Sequence, residues 1–362
     1  MLRIAFVFLI FLHGLIHFLG FIKSFEFADL KELTLPIAKP FGLLWLLVGI
    51  LFLITGISYL IRSNHWWLLG LIALVLSQII IFSFWKDAKF GTIANVIILI
   101  VSLIGFGDWN FENHFKKDIQ NGFVNATLNE VKIISPNDLT HLPPIVQEYL
   151  NYVGIVGKPE VKNVSILFAG EMRSRSGAWF SFTSEQFNFF DAPKRLFFMK
   201  AKVKGFPTNG YHAYQDGKAS MQVKLLSLFP VVSEKGDLLD QAEMVTFFND
   251  LCLFAPARLI DENITWEVLS NTSVKAFFRS NGRQISAVLK FNEQGQLLNF
   301  ISEDRSDVSD GKNYTFSTPV GAYKNINGFN VCTYGEAIWH YPEGKFTYGK
   351  FNLKRIDYNV NQ

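Results

Sequence analysis

Residues 2–21 read LRIAFVFLIFLHGLIHFLGF, and this stretch decides where the chain is located. As a helix, about 20 residues rise roughly 30 Å, which is the thickness of the hydrocarbon core of a bilayer. The stretch is apolar apart from Arg3, His13 and His17. The two histidines are four residues apart, so a helix places both on one face near its middle. The stretch therefore predicts a transmembrane helix with two polar groups at membrane depth.

Three more apolar runs follow, at residues 41–61, 66–84 and 90–107. Each is long enough to cross a bilayer. Tryptophans lie near the ends of the runs, where amphipathic rings anchor at the level of the headgroups: Trp45, Trp66, Trp67, Trp85 and Trp109. No small-x-small cleavage site follows the first run, so we expect it to be retained rather than removed as a signal peptide. We predict a four-helix transmembrane domain over residues 1–109.

The loops between the runs indicate the orientation. Arg3 and Arg62 lie on one side of the membrane, and a larger set of cations lies on the other: Lys23, Lys31, Lys39, Lys86 and Lys89. Because positive loops stay in the cytoplasm, the first and third loops are predicted to be cytoplasmic. Both termini and the C-terminal domain are then predicted to be extracytoplasmic, with the protein integral to the inner membrane.

Charge in the remainder of the chain is balanced. The whole chain has a formal net charge of +3, and the residues after Gly107 include equal numbers of acidic and basic side chains. Binding to phosphate backbones requires a cationic patch. Nucleic acid is therefore excluded as a partner, and the basic pI belongs to the membrane loops.

The residues after the runs predict a second domain with a different periodicity. Residues 110–142 are polar and mixed, typical of a connector, and a short amphipathic helix follows Pro143. From Glu160 onward apolar residues alternate, and turn pairs such as Asn281-Gly282 and Asn327-Gly328 separate the strand-like runs. Roughly ten strands in one antiparallel sheet must curl. The fold class is α+β, with a curled antiparallel half-barrel and inserted helices over residues 143–362.

One helix interrupts the strands. Asp240 and Glu243 form a capping-box pattern that predicts its first turn, and Pro256 ends it. The helix has an apolar stripe, and the strands are rich in aromatic residues, with doubled pairs that put rings on both strand faces. We expect these side chains to line an apolar cavity: Met244, Phe247, Phe248, Leu251, Phe187, Phe189, Phe198 and Trp266. A phenylalanine-rich core without a cavity is the alternative.

The intramembrane histidines have three interpretations. His13 and His17 could hydrogen-bond to another span, for which Gln78 and Asn95 are candidates. They could instead form a proton or ligand site, or a metal or haem site completed by oligomerisation. The other spans contain no Cys, Asp, Glu, Met or His at depth, so a metal would have only two protein ligands. We therefore predict no cofactor, with metal or haem at the pair as the alternative.

The charged turn between the third and fourth runs is a second candidate at the membrane face. Lys86, Asp87 and Lys89 predict a snorkelling turn with a local ion pair, or a lipid-headgroup site.

Residues after the runs include no recognisable catalytic motif, such as a nucleophile elbow or a zinc-protease signature. His212 and the other histidines there are scattered, which is typical of surface or packing residues. Cys252 and Cys332 are the only cysteines, and we expect free buried thiols, with a disulfide as the alternative.

Several segments resemble a bacterial membrane-protein family known only as a domain of unknown function with four N-terminal spans. They are HGLIH at residues 13–17, DAKFGTIAN at 87–95, VGKP at 156–159, LFPVV at 228–232 and DYN at 357–359. Residues 253–256, LFAP, depart from the family pattern of a Trp and an aromatic before the Pro. The layout of the second domain is also similar to the half-barrel of lipoprotein carriers. The resemblance implies no catalytic residue.

The sequence thus predicts a membrane-anchored protein whose extracytoplasmic half-barrel binds an apolar ligand, a lipid or a lipid-linked group. One alternative is a membrane enzyme, or a redox or proton-handling protein, that uses His13 and His17. Another is a structural or interaction module without a ligand.

Overall fold

The computed structural model describes residues 2–124 and 132–361, which form two compact units that divide between Asn113 and His114. Five helices begin the chain: α1 (Leu2–Ser24), α2 (Lys39–Leu60), α3 (Trp66–Ser83), α4 (Trp85–Ala88) and α5 (Gly91–Val124). All but α4 are long and apolar enough to cross a membrane.

Small residues bring α1 and α2 together in the first unit. A Cβ atom added at Gly14 would lie 3.1 Å from the carbonyl oxygen of Gly49, and one added at Gly20 would overlap the Trp45 ring. Glycines at a helix interface allow such close approach, which is how apolar helices gain contact when lipid is as apolar as they are. Leucine, isoleucine and phenylalanine cover the outer surfaces of these helices.

Helix α5 is longer than the predicted fourth span. Residues 110–124, which the sequence assigned to a connector, continue the helix, and those from His114 onward belong to the second unit. Phe115 and Phe123 lie eight residues apart on one helix face and pack on aromatic rings of the sheet. This burial explains why a polar, mixed sequence remains helical there.

The second unit continues with a 3-10 turn (Pro136–Leu139) and helix α6 (Pro144–Val153). The first strands are β1 (Asn163–Met172), β2 (Phe180–Phe189), β3 (Lys194–Val203), β4 (Phe206–Gln215), β5 (Lys218–Leu225) and β6 (Phe229–Lys235). Helix α7 (Asp237–Phe254) and a second 3-10 turn (Pro256–Ile260) follow. The remaining strands are β7 (Ile264–Ser270), β8 (Ser273–Ser280), β9 (Arg283–Phe291), β10 (Leu297–Ser302), β11 (Ser306–Asp307), β12 (Lys312–Asn313), β13 (Thr315–Ile326), β14 (Phe329–Tyr341) and β15 (Gly344–Tyr358).

Thirteen of these strands form one antiparallel sheet in the order β6-β5-β4-β3-β2-β1-β15-β14-β13-β10-β9-β8-β7, and β11 and β12 pair separately. The sheet is not closed, because β6 and β7 are its two edges. The predicted α+β class with a curled half-barrel is confirmed, although the strands outnumber the ten expected. Asn281-Gly282 and Asn327-Gly328 join consecutive strands with positive φ at both residues, as two-residue hairpins require.

Helix α7 contacts strands of both halves of the sheet and is buried on nearly all sides. The predicted capping box is wrong: the helix begins one turn earlier, at Asp237, and Gly236 is its N-cap. Asp240 and Glu243 are instead buried within the helix. The Oδ1 atom of Asp240 accepts a hydrogen bond from the backbone N–H of Ala219, at 2.7 Å, so this carboxylate joins α7 to β5.

Both cysteines are buried free thiols in this unit. Burial raises the pKa of Cys332 to about 12 and also raises that of Cys252. Tyr149 of α6 donates a hydrogen bond to the carbonyl oxygen of Cys252, at 2.8 Å, and so ties α6 to the end of α7.

Candidate functional site

Five polar side chains of the first unit form a network among the apolar helices. His13 Nε2 lies 3.0 Å from Asn95 Oδ1, and His17 Nε2 lies 3.0 Å from Ser77 Oγ. Asn95 Nδ2 donates to Ser77 Oγ and to Gln78 Oε1, each at 3.0 Å. All of these residues except the partly exposed Gln78 are buried. The network therefore connects α1, α3 and α5.

The bond from His17 to its own helix determines its tautomer. His17 Nδ1 is 2.8 Å from the carbonyl oxygen of His13, so Nδ1 carries the proton and donates it. In the neutral ring Nε2 is then the acceptor for the Ser77 hydroxyl. Within the described residues, no group of three or more His, Cys, Asp or Glu side chains is placed to hold a metal.

The charged turn lies in and beside α4. Asp87 accepts a hydrogen bond from Thr34 Oγ1, at 2.7 Å, and another from the backbone N–H of Leu35, at 2.8 Å. Asp87 thus fastens the loop after α1 to this turn. Lys89 lies over the Phe90 ring, with its Nζ atom 5.3 Å from the centroid.

The second unit contains a cavity of about 280 Å³ between α7 and the concave face of the sheet. Apolar side chains form much of its wall: Phe168, Met172, Leu253, Phe254, Val320 and Phe351. Polar and charged side chains form another part of it: Arg195, Glu243, Asn249, Asp250, Arg305 and Thr318. The cavity is therefore amphipathic.

None of the eight predicted cavity residues lines this cavity. The apolar stripe of α7, with Met244, Phe247, Phe248 and Leu251, packs into the core instead. The Phe248 ring stacks on that of Phe278, with centroids 5.0 Å apart. Because the whole helix is buried, its more polar stripe remains for the cavity, at helical spacing: Leu239, Ala242, Glu243, Thr246, Asn249, Asp250 and Leu253.

The predicted strand aromatics lie elsewhere. Phe187 and Phe189 alternate with Gln186 and Asn188 along β2, so they point to the opposite face of the sheet. There they pack around Phe123, and Phe198 stacks on Phe115 at 5.4 Å, both rings belonging to the last turns of α5. Trp266 is partly buried against the core. The doubled phenylalanines correctly indicated aromatic rings on both faces of the sheet. The rings on the second face are covered by the end of α5 rather than lining a cavity.

A buried ionic cluster forms the polar side of the cavity. Arg195 Nε donates to Asp250 Oδ2 at 2.6 Å, and Arg195 Nη1 donates to Glu243 Oε2 at 3.1 Å. Gln186 Nε2 also donates to Asp250 Oδ2, at 2.8 Å. The Nδ1 atom of His212 lies 3.5 Å from Glu243 Oε1. The side chains of the arginine and both carboxylates are less than a tenth exposed.

The cluster shifts the pKa values of its members. Burial alone would raise the pKa of Glu243, but the hydrogen bond with His212 and the charge of Arg195 lower it to about 2. Burial likewise disfavours the charge on Arg195, and the charges of Asp250 and Glu243 outweigh this and raise its pKa. Glu243 and Arg195 are therefore both charged at neutral pH, and each charge stabilises the other.

Arg305 lies on a shelf of aromatic rings at another part of the wall. Its Cζ atom is 4.1 Å from the centroid of Phe316, 4.9 Å from that of Trp339 and 5.9 Å from that of Tyr348. Nη1 donates to the Tyr348 hydroxyl oxygen at 2.8 Å. Nε is buried and has no hydrogen-bond partner among the described residues.

Sequence reasoning missed Arg195, Arg305 and His212. A signal existed for Arg195, because it shares the inward face of β3 with Phe197 and Met199, two residues apart each time. A charged residue in an apolar alternation indicates a buried partner. Its partner Asp250 is 55 residues away in sequence, so no local pattern could name it.

A family model described as a family of unknown function (DUF6544) matches residues 132–351. A comparison with curated proteins finds no match. Among solved structures, the chain is similar to a LolA superfamily protein from Nitrosomonas europaea, with a TM-score of 0.36 and 10% identity over 60% of this chain and 93% of that chain. It is also similar to a DUF1329 family protein from Desulfovibrio piger, with a TM-score of 0.31 and 11% identity over 61% and 95%. At these values neither likeness assigns a function.

Proposed function

The chain belongs to the DUF6544 family of unknown function, and we propose that its second unit binds the apolar chain of a lipid or lipid-linked group. The binding site in this proposal is the cavity between α7 and the curled sheet. The four apolar helices anchor the protein in the inner membrane, with both termini and the second unit outside the cytoplasm. Reporter fusions at the C-terminus test this orientation, and a cytoplasmic signal would overturn it.

The observation that carries the proposal is the cavity itself. Protein cores are close-packed and have few voids larger than a water molecule. A cavity of about 150 Å³ already admits benzene, and ligand pockets begin at roughly 300 Å³. The cavity of about 280 Å³ therefore suits one apolar chain or part of one, rather than a complete diacyl lipid.

The free energy of moving an alkyl chain from water into the cavity is of the size expected for reversible binding. Each methylene moved from water to an apolar site contributes about 0.8 kcal/mol. A segment of roughly eight methylenes would contribute about 6 kcal/mol before the cost of ordering the chain is subtracted. Such a site would hold and release a single chain, as a carrier or sensor of lipid requires.

Photolabelling tests this function in the full chain. The protein is placed in phosphatidylcholine nanodiscs and irradiated with a long-chain alcohol that carries a diazirine, and the labelled peptides are mapped. We expect saturable labelling of the cavity wall at Leu253 and Phe254, with excess hexadecanol as competitor. Labelling that does not saturate, or that is confined to α1–α5, would overturn the proposal and favour a structural or interaction module.

Two variants of β15 serve as a matched pair for this experiment. Leu353 lines the cavity, and its neighbour Asn352 is exposed on the opposite side of the strand. Leu353→Trp fills the cavity and should reduce saturable labelling at least about tenfold, whereas Asn352→Trp should leave it unchanged. Equal labelling of both variants would contradict the assignment of the site.

For the first unit we propose that His13 and His17 join helices and bind no cofactor. The support is the network with Ser77 and Asn95, in which neutral side chains satisfy one another. Purified full-length protein should then show no visible absorbance and no stoichiometric metal. Haem absorbance or bound metal at one equivalent would favour the redox alternative instead.

A further inference from the structure

We infer that the ligand of the cavity bears an anionic headgroup, a carboxylate or a phosphate monoester, and that Arg305 binds it. This inference rests on the proposed function, because it assigns the polar end of the same ligand. Of the two arginines in the cavity wall, Arg195 makes close ion pairs with carboxylates and Arg305 does not.

Arg195 is fully engaged by the protein. It donates to Asp250, Glu243 and the Oε1 atom of Gln186. Arg305 differs, since none of its nitrogens lies within 4.0 Å of a carboxylate oxygen in residues 2–124 and 132–361. Its one hydrogen-bond acceptor there is the Tyr348 hydroxyl. Arg305 is therefore a partly buried cation that feels the charge of Glu243 at longer range but makes no close ion pair with a carboxylate of the described residues.

The aromatic shelf determines what Arg305 can bind. Phe316 and Trp339 lie close to the guanidinium carbon, at 4.1 and 4.9 Å, but their rings offer no oxygen acceptor for its N–H groups. The edge of a guanidinium has a planar fork of N–H donors that matches carboxylate and phosphate oxygens. The unpartnered Nε belongs to that fork, and a buried donor without an acceptor is costly. An oxyanion that binds the guanidinium edge would satisfy it once a small shift of the side chain brings Nε to the cavity.

The carboxylates of the wall do not compete for this position. Each accepts hydrogen bonds from donors of its own: Glu243 and Asp250 from Arg195, Asp307 from Tyr341, and Glu336 from Tyr334. Glu336 also lies directly opposite Lys350 in the pair of β14 with β15. None of these carboxylates accepts a hydrogen bond from Arg305, so its N–H donors remain available to a ligand although its charge interacts with Glu243.

Asn249 provides a second polar contact for a headgroup. Its side chain is 6% exposed and lines the cavity, and Nδ2 lies 3.1 Å from the Thr318 hydroxyl oxygen. The Oδ1 atom has no partner among the described residues. Because a hydroxyl can both donate and accept, the amide can turn and present either end to the cavity. A purely apolar ligand would leave this amide and Arg305 unsatisfied.

Competition against the diazirine label tests the inference in the full chain, in the same nanodiscs. Three amphiphiles share a dodecyl tail: tridecanoate, dodecyl phosphate and uncharged dodecanol. We expect one or both anions to compete about tenfold or more strongly than dodecanol, as a charged hydrogen bond requires. The stronger of the two anions identifies the headgroup as carboxylate or phosphate.

Two variants assign the effect to one residue. Arg305→Met keeps an unbranched side chain on the aromatic shelf, and it should remove the advantage of the anions without changing competition by dodecanol. Unchanged competition by dodecanol also shows that the variant is folded. Arg355→Met, which removes an arginine that is 57% exposed, should preserve the advantage.

The outcomes separate the inference from the proposed function. Equal competition by dodecanol and both anions in the unmodified protein would overturn the anionic headgroup and leave apolar binding intact. An advantage that persists in Arg305→Met would overturn the role of Arg305. Absence of saturable labelling in the cavity would overturn both.

Discussion

Replacement of Arg195 by Met should destabilise the second unit strongly. Its guanidinium is 2.6 Å from Asp250 and 3.1 Å from Glu243, and the side chains of both carboxylates are less than a tenth exposed. Methionine would leave two buried negative charges without their cation. Removal of one partner from a buried pair costs about 3–5 kcal/mol, because the remaining charge is neither solvated nor paired.

The two cysteines provide an assay specific to this unit. Cys252 and Cys332 are its only thiols, and their exposed fractions are 0% and 3%. A thiol reagent therefore modifies them only after the unit opens, and the labelling rate follows the population of the open form. A loss of 3–5 kcal/mol would accelerate labelling of the full chain in nanodiscs by about 100-fold to several thousandfold, since roughly 1.4 kcal/mol is a factor of ten.

Two controls test the electrostatic reasoning. The triple variant Arg195→Met, Glu243→Gln, Asp250→Asn removes the orphaned charges and should reverse most of the acceleration. Arg355→Met breaks the ion pair with Asp357, in which the side chains are 57% and 43% exposed, and should accelerate labelling less than about fivefold. Labelling of Arg195→Met within about threefold of the unmodified protein, or equal labelling of the single and triple variants, would refute the reasoning.

Three further predictions concern the acid stability of the second unit and the packing of the four apolar helices. The pKa of Glu243 is lowered from 4.5 to about 2 in the folded unit, so its contribution to stability is complete above pH 4.5 and is lost as the pH falls toward 2. The urea concentration at which the second unit is half unfolded should therefore fall over this pH range, and Glu243→Gln should make that fall smaller. An equal fall in the variant and the unmodified protein would contradict this. Asn95→Leu removes hydrogen bonds between α1, α3 and α5 and should cost about 1–2 kcal/mol in thermal unfolding of the detergent-solubilised chain; an unchanged melting temperature would show that the network is dispensable. Gly20→Ala pushes a methyl group into the Trp45 ring and should cost about 1–3 kcal/mol, whereas Gly321→Ala, with nothing within 4 Å of the added atom, should be near neutral.

The extent of α5 shows where local patterns fail. Phe111, Phe115, Ile119 and Phe123 recur every four residues and so indicate a helix, but nothing in residues 110–124 identifies the distant rings that this helix covers. The partners Phe187 and Phe198 lie more than sixty positions away in sequence. The capping box at Asp240 failed for a related reason. Its carboxylate, which the pattern assigned to the helix start, is buried and contacts Lys218 and Arg283 instead.

The sequence by itself determined the four apolar helices, the position of His13 and His17 on one face of the first of them, and the antiparallel hairpins. These features depend on hydropathy over about 20 residues, on spacing within one helix and on two-residue turns, all of which are local. Only the tertiary structure decided which stripe of α7 faces the cavity. It also decided that Arg195 makes close ion pairs with two carboxylates while Arg305 makes none with the described residues. Those outcomes depend on the register of strands and on pairs of residues far apart along the chain, where the energy of a buried charge is determined by whichever group packs against it.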